Sequence, residues 1–228
     1  MADGVVDVAP HIPLDVGGAV HWLMNRKMFT ALYEAPVWRP MLSSLGSGLP
    51  AKYEVESVLG RVEGANPEVI VDMACGTGHY ARALASTYPR ASVLAVDVAP
   101  QMLKVCHSKA RKQGLDGIVS IRGDVYKMPF GDQSVDLLNC TGALHLFSDL
   151  APIWAEIHRV LKPSGIFTAM TIGMAPGPLR RVQKKLMADK KARFFVPEVL
   201  GPELEAAGLG SFDYDLNRVS LIFSARRL

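Results

Sequence analysis

The chain of 228 residues suits one α/β domain with an added segment, and 49% hydrophobic residues suffice for a sizeable core. Lys and Arg outnumber Asp and Glu by 25 to 22, a mild net charge of +3 that calls for no nucleic acid and leaves an acidic substrate open. Cys75, Cys106 and Cys140 form no C-x-x-C pair and no zinc spacing, and no apolar stretch reaches bilayer length, so the expectation is a reduced, cytoplasmic chain with no metal site and no transmembrane segment.

Residues 1–17 read as irregular, punctuated by Pro10 and Pro13. From Ala19 to Tyr33 the spacing turns helical, with Trp22, Met24, Met28, Phe29, Leu32 and Tyr33 supplying an apolar surface. Pro36 and Pro40 break that pattern, and Met41–Leu45 reads as a short helix. The glycine-rich stretch 46–50 reads as a hinge. Residues 1–50 are therefore set apart from a main domain over 51–228, which opens with a helix over 51–63.

An apolar strand then ends in Asp72, followed by a small-residue loop with Gly76 and Gly78. A helix follows, with Ala81, Leu84, Ala85 and Tyr88 on one face. Gly76, Gly78 and Ala81 spell G-x-G-x-x-A, which a dinucleotide site permits, so a nicotinamide-dependent oxidoreductase is one reading. A carboxylate at Asp72 argues against it, because it would repel a pyrophosphate. It suits a ligand with positive charge near the turn, such as S-adenosylmethionine. The bland alternative is a strand-end acid that caps the loop. A second strand, 91–97, ends in Asp97, in the window where a ribose-binding acid is expected. The alternative there is an acid that stabilises a helix N-terminus.

Pro100 opens a helix that runs to Lys112, and Gly114 and Gly117 stop it. Ile118–Ile121 is a short strand ending at Gly123–Asp124–Val125. Residues 135–140 form the next strand, with Asn139, Cys140 and Thr141 at its carboxyl end, where open parallel sheets bind ligands. Gly142–His145 continues toward the substrate side. Pro152–Leu161 is an amphipathic helix, Lys162–Gly165 a turn, and Ile166–Thr171 a fifth strand. Residues 178–193 hold seven cations against Asp189 alone. Their apolar side is modest, so a solvated helix face is the stronger reading; contact with an anionic membrane or an acidic substrate is the weaker one. Pro197–Ala207 is helical, and 212–216 with 219–225 form a hairpin across Asn217–Arg218, giving seven strands.

Four motifs in this order, D-x-A-C-G-T-G-x-Y from Asp72, V-D-V-A-P-Q-M-L from Val96, G-D-V-Y-K-M-P-F from Gly123 and L-K-P-S-G from Leu161, resemble the class I S-adenosylmethionine-dependent methyltransferases. The nearest group is the ubiquinone/menaquinone-biosynthesis-like, type 11 one. The resemblance implies a Rossmann-like seven-stranded α/β sheet, mostly parallel with an antiparallel last strand, helices on both faces and an N-terminal helical lid over residues 1–50. It implies cofactor contacts from Asp72, Ala74, Cys75, Gly76, Gly78, Asp97, Val98, Met102, Asp124, Val125, Asn139, Cys140 and Thr141. In that family the acid at Asp124 accepts from the adenine amino group, and the next N–H, that of Val125, meets a ring nitrogen. Backbone carbonyls at 139–141 would suit the methionine ammonium. Trp22, Phe29, Tyr33 and His145 are the candidates for contact with a small hydrophobic or aromatic acceptor. His145 is also the candidate base, since its pKa range suits proton removal. His79 is expected to shape the cofactor site. A non-catalytic interaction domain is the remaining alternative, disfavoured by three retained acids.

Overall fold

The computed structural model describes residues 4–12, 46–48, 50–188 and 193–228. The predicted helix over Ala19–Tyr33, with Trp22, Phe29 and Tyr33, lies outside the described residues, as do the predicted helix at Met41–Leu45 and the cations Lys190 and Lys191. In chain order the elements are β1 (Val5–Asp7), α1 (Ala51–Gly60), β2 (Val69–Met73), α2 (His79–Thr87), β3 (Ser92–Asp97), α3 (Pro100–Lys112), β4 (Ile118–Arg122) and β5 (Val135–Thr141). After a short 3-10 turn, Leu144–Leu146, come α4 (Ala151–Val160), β6 (Leu161–Ile172), α5 (Leu179–Ala188), α6 (Pro197–Ala206), β7 (Leu209–Asn217) and β8 (Ser220–Arg227).

The strands form one sheet in the order β1-β4-β3-β2-β5-β6-β8-β7. The pairs from β1 to β6 are parallel, and β8 runs antiparallel to both its neighbours. The near-continuous apolar runs of the central strands follow from this, since a parallel sheet is covered on both faces. Period-two alternation divides them. Val71, Val96 and Leu138 face a core built with Trp154 and Ile157 of α4 and Leu200 and Leu204 of α6. Ile70, Val93 and Leu137 face the other core, with Leu84 of α2 and Cys106 and Ala110 of α3.

Among the described residues eight strands are present rather than the seven expected. The extra one is β1, which pairs with β4 through Val5↔Ser120, Val6↔Ile121 and Asp7↔Arg122. Three residues at a sheet edge carry too short an alternation to be read as a strand, and Pro10 nearby favours an irregular reading. The expected turn at Lys162–Gly165 is a bulge inside β6 instead. Leu161 pairs with Val135 and Ile166 with Leu137, so four residues stand opposite Asp136. Ser164 sits there at φ 63°, a left-handed conformation that favours glycine.

Strand order reverses between β2 and β5, with β3 and β4 on one side and β6 on the other. A crevice opens at the carboxyl ends of strands at such a switch point. The loops after β2, β3, β4 and β5 all end there.

Candidate active site

A cavity of about 500 Å³ lies at this switch point. Its floor is the loop after β2. Ala74, Gly76 and Gly78 all adopt positive φ, at 53°, 55° and 72°. Cys75 N donates to Val96 O at 3.0 Å and Gly78 N to Cys75 O at 2.9 Å, which folds the loop back over β3. Arg82, buried on α2, donates from Nη1 to Thr77 O at 2.6 Å and holds the loop from behind. Gly78 is the N-cap of α2. A Cβ there would stand 2.2 Å from Cys106 Sγ, so glycine is required by conformation and by space together. A Cβ at Gly76 would meet nothing within 4 Å; it would project into open room beside the cavity.

Asp97 ends β3 in the cavity wall. Its Oδ2 accepts from Gly76 N and its Oδ1 from Ala99 N, both at 2.8 Å. The helix-start role and the cavity-facing role therefore coexist, and the carboxylate ties the β2 loop to the start of α3. Asp124, after β4, also lines the cavity, and its Oδ1 accepts from Tyr126 N at 2.9 Å. Val98, Met102 and Val125 add an apolar slot between the two acids, and Ala74, Cys75 and Thr141 complete the part of the wall expected from sequence.

Four expected residues stand outside that wall. Asp72 is buried, and it accepts from Asn139 Nδ2 at 2.6 Å. Asn139 Oδ1 in turn accepts from Thr141 Oγ1 and Thr168 Oγ1, both at 3.1 Å. Asp72 and Asn139 are thus a buried polar layer one step below the cavity, oriented by the β2–β5 register that places them side by side. Cys140 is fully buried, where desolvation and the nearby acids push its thiol far up, and Gly78 backs the loop. Burial likewise pushes up the Cys75 thiol, which keeps it uncharged in the wall.

Sequence reasoning did not single out Thr77, Tyr126, Phe147 or Ile12, yet all line the cavity. His79, expected to shape the site, lines it as well, with Tyr80 beside it. Tyr126 and Phe147 meet edge to face, with ring centroids 5.9 Å apart, and with Leu146 they form an aromatic and apolar stretch of wall. Ile12 arrives through Arg122. That buried guanidinium donates to Ile12 O at 2.5 Å, to Asp7 Oδ2 at 3.0 Å and to Val98 O at 3.3 Å. Replacing Arg122 with Met is expected to cost about 2 kcal/mol, since Asp7 is partly solvated and only some of its pairing is lost. Hydrogen exchange should report it, with amides of residues 5–12 losing protection before the core does.

A methyltransferase-domain family matches residues 71–169, the stretch from β2 to β6 that supplies the described wall residues other than Ile12. Over that stretch the chain is similar to a methyltransferase domain. Among curated relatives of this chain, a malonyl-[acyl-carrier protein] O-methyltransferase of Methylovorus is 29% identical over 165 residues, covering 69% of this chain and 55% of that protein. A demethylmenaquinone methyltransferase of Geobacillus kaustophilus is 33% identical over 112 residues, covering 49% of this chain and 48% of that protein. The chain thus spans about half the length of the curated relatives it matches. The Streptomyces coelicolor geranyl diphosphate C-methyltransferase, solved with S-adenosyl-L-homocysteine, shares the fold at a TM-score of 0.65. Its identity is 15%, and the match covers 78% of this chain and 77% of that one. The methyltransferase fold therefore holds well beyond the range of close sequence identity.

Proposed function

We propose that the cavity binds S-adenosylmethionine and that the chain passes its methyl group to a small, apolar or aromatic acceptor. One observation carries this reading. Two carboxylates, Asp97 and Asp124, line the cavity around an open glycine loop, and among the described residues no Lys or Arg lines it. Among the described residues a dinucleotide pyrophosphate finds no cation there, whereas a cationic nucleoside finds two hydrogen-bond acceptors and an apolar slot. A volume of about 500 Å³ lies within the ordinary range for such a ligand.

Asp97 would take the ribose hydroxyls, and Asp124 the adenine amino group. Val98, Met102 and Val125 would hold the base between them. Buried Asp72 would add negative potential beneath the sulfonium and ammonium, with Asn139 fixing its orientation. The bound sulfonium supplies an electrophilic methyl and a good leaving group. What remains for the protein is alignment of the nucleophile and exclusion of water. Tyr126, Leu146 and Phe147 present the apolar and aromatic surface that favours an acceptor of the same character.

His145 lies at the β5 end of this region, although it does not line the cavity. Its Nδ1 is 3.4 Å from Thr171 Oγ1, and burial pulls its pKa below the ordinary histidine value. The imidazole is therefore neutral at pH 7, as a base must be. Because the folded pKa is depressed, the unfolded chain binds the proton more readily. Stability should be full above the ordinary histidine pKa, about 6.5, and should fall as pH drops below it. His145→Gln should flatten that part of a thermal-stability pH profile. If His145 serves proton removal, the same change lowers kcat at least tenfold with S-adenosylhomocysteine affinity unchanged.

Parallel calorimetric titrations with S-adenosylhomocysteine and NADH test the proposal. Saturable heat for the first and none for the second is expected. The reverse pattern would assign the site to a nicotinamide cofactor, and no heat for either would favour a domain kept for protein contact.

A further inference from the structure

The cationic face of helix α5 is exposed to solvent, as the sequence reading expects, but much of its apolar side is exposed as well. A solvated amphipathic helix turns its apolar side to the core, but here Leu179, Val182 and Met187 are 49%, 55% and 37% exposed. Leu179, Val182 and Leu186 follow helical spacing and form a stripe, bordered by Arg181 and Lys185, with Arg180 and Lys184 further round. Among the described residues of α5, only Gln183 is buried. It pins the helix to the segment after β6, accepting from Ala175 N at 2.6 Å and donating to Gly173 O at 3.0 Å.

Charge points the same way. Residues 178–193 hold seven cations and one acid, leaving 18 cations against 21 acids in the rest of the chain. The positive charge of the protein is thus concentrated in this stretch, and the remainder is net negative. We propose that α5 docks the protein on an anionic lipid surface, with its apolar stripe in the headgroup boundary and its cations against lipid phosphates. Exposed apolar side chains interleaved with cations are the composition of an interfacial helix, and a lipid surface takes them without shape complementarity. The net negative remainder is repelled from the same surface, which fixes which side of the protein faces it.

The placement has a consequence that rests on the proposed methyl transfer, although the docking does not. The helix follows the carboxyl end of β6, and β6 pairs with β5, whose end lines the cavity through Thr141. A docked protein would therefore hold the cavity end of its sheet near the lipid, where an apolar acceptor is concentrated.

Co-sedimentation of the full chain with vesicles tests this without turnover. The protein should pellet with phosphatidylcholine vesicles containing phosphatidylglycerol and stay in solution with phosphatidylcholine alone. High salt should release it. Replacing Arg180, Arg181, Lys184 and Lys185 together by Gln should weaken binding at least about tenfold. The Leu179→Ser, Val182→Ser pair should weaken it with all charges retained. Circular dichroism and S-adenosylhomocysteine titration should be unchanged in both variants. Equal binding to neutral and anionic vesicles, no binding to either, or full binding by the four-Gln variant would overturn the proposal. Retention on an acidic protein without vesicle binding would overturn it too, in favour of a protein partner. Loss of S-adenosylhomocysteine binding by the unaltered protein is a separate outcome and bears on the cofactor reading alone.

Discussion

Replacing Asp97 with alanine should weaken S-adenosylhomocysteine binding by about 30- to 1000-fold. Two hydrogen bonds from ribose hydroxyls to an ionised carboxylate are together worth roughly 2–4 kcal/mol net, and each 1.4 kcal/mol is tenfold. The change also removes the acceptor of Gly76 N and Ala99 N, so the β2 loop loses its tie to α3. Asp97→Asn separates the two effects. The amide keeps one acceptor oxygen for a backbone N–H but turns a donor toward the other, so the fold should be nearly retained while affinity still falls. Calorimetry on the two variants, with thermal denaturation beside it, reads both quantities. Equal affinity in Asp97→Ala and the unaltered protein would remove Asp97 from the ligand.

The second large effect is at Gly78. Alanine there must hold φ near 72° and place its Cβ 2.2 Å from Cys106 Sγ and 3.0 Å from Cys106 Cβ. Left-handed backbone costs a residue with a Cβ about 1–2 kcal/mol, and an overpacked core about 1–3 kcal/mol more. A loss of about 2–5 kcal/mol should lower Tm by roughly 4–20 °C for a domain of this size. Because the loop is the cavity floor, ligand affinity should fall with it. Combining Gly78→Ala with Cys106→Ala removes the sulfur and should recover the steric share but not the backbone share. A double mutant no more stable than Gly78→Ala alone would show that the overlap with Cys106 is not what glycine avoids.

Much of the site is legible in the chain because strand ends carry their own punctuation. Asp72 and Asp97 each close an apolar run and Asp124 follows one after Arg122 and Gly123, and in a parallel sheet such ends gather on one edge. Period-two alternation likewise marks which residues of β2, β3 and β5 enter each core. The sequence does not show depth. Asp72 and Asp97 look alike in the chain, yet the β2–β5 register buries the first against Asn139 and leaves the second in the wall. Tyr126 and Phe147 are joined in the cavity wall by tertiary packing between two separate loops, for which spacing gives no signal. Ile12 is placed by Arg122, a contact spanning more than a hundred residues. On α5 the periodicity was readable but its burial was not: an apolar stripe in sequence implies a core contact that the structure does not supply.

The central claim is that acids at the tips of β3 and β4 receive a cationic nucleoside. A crystal structure of the protein soaked with S-adenosylhomocysteine tests it most directly. The account predicts the ribose hydroxyls within hydrogen-bond distance of Asp97 and the adenine amino group at Asp124, with the base between Met102 and Val125. Ligand bound elsewhere, or bound here with its sugar and base turned away from both carboxylates, would contradict it.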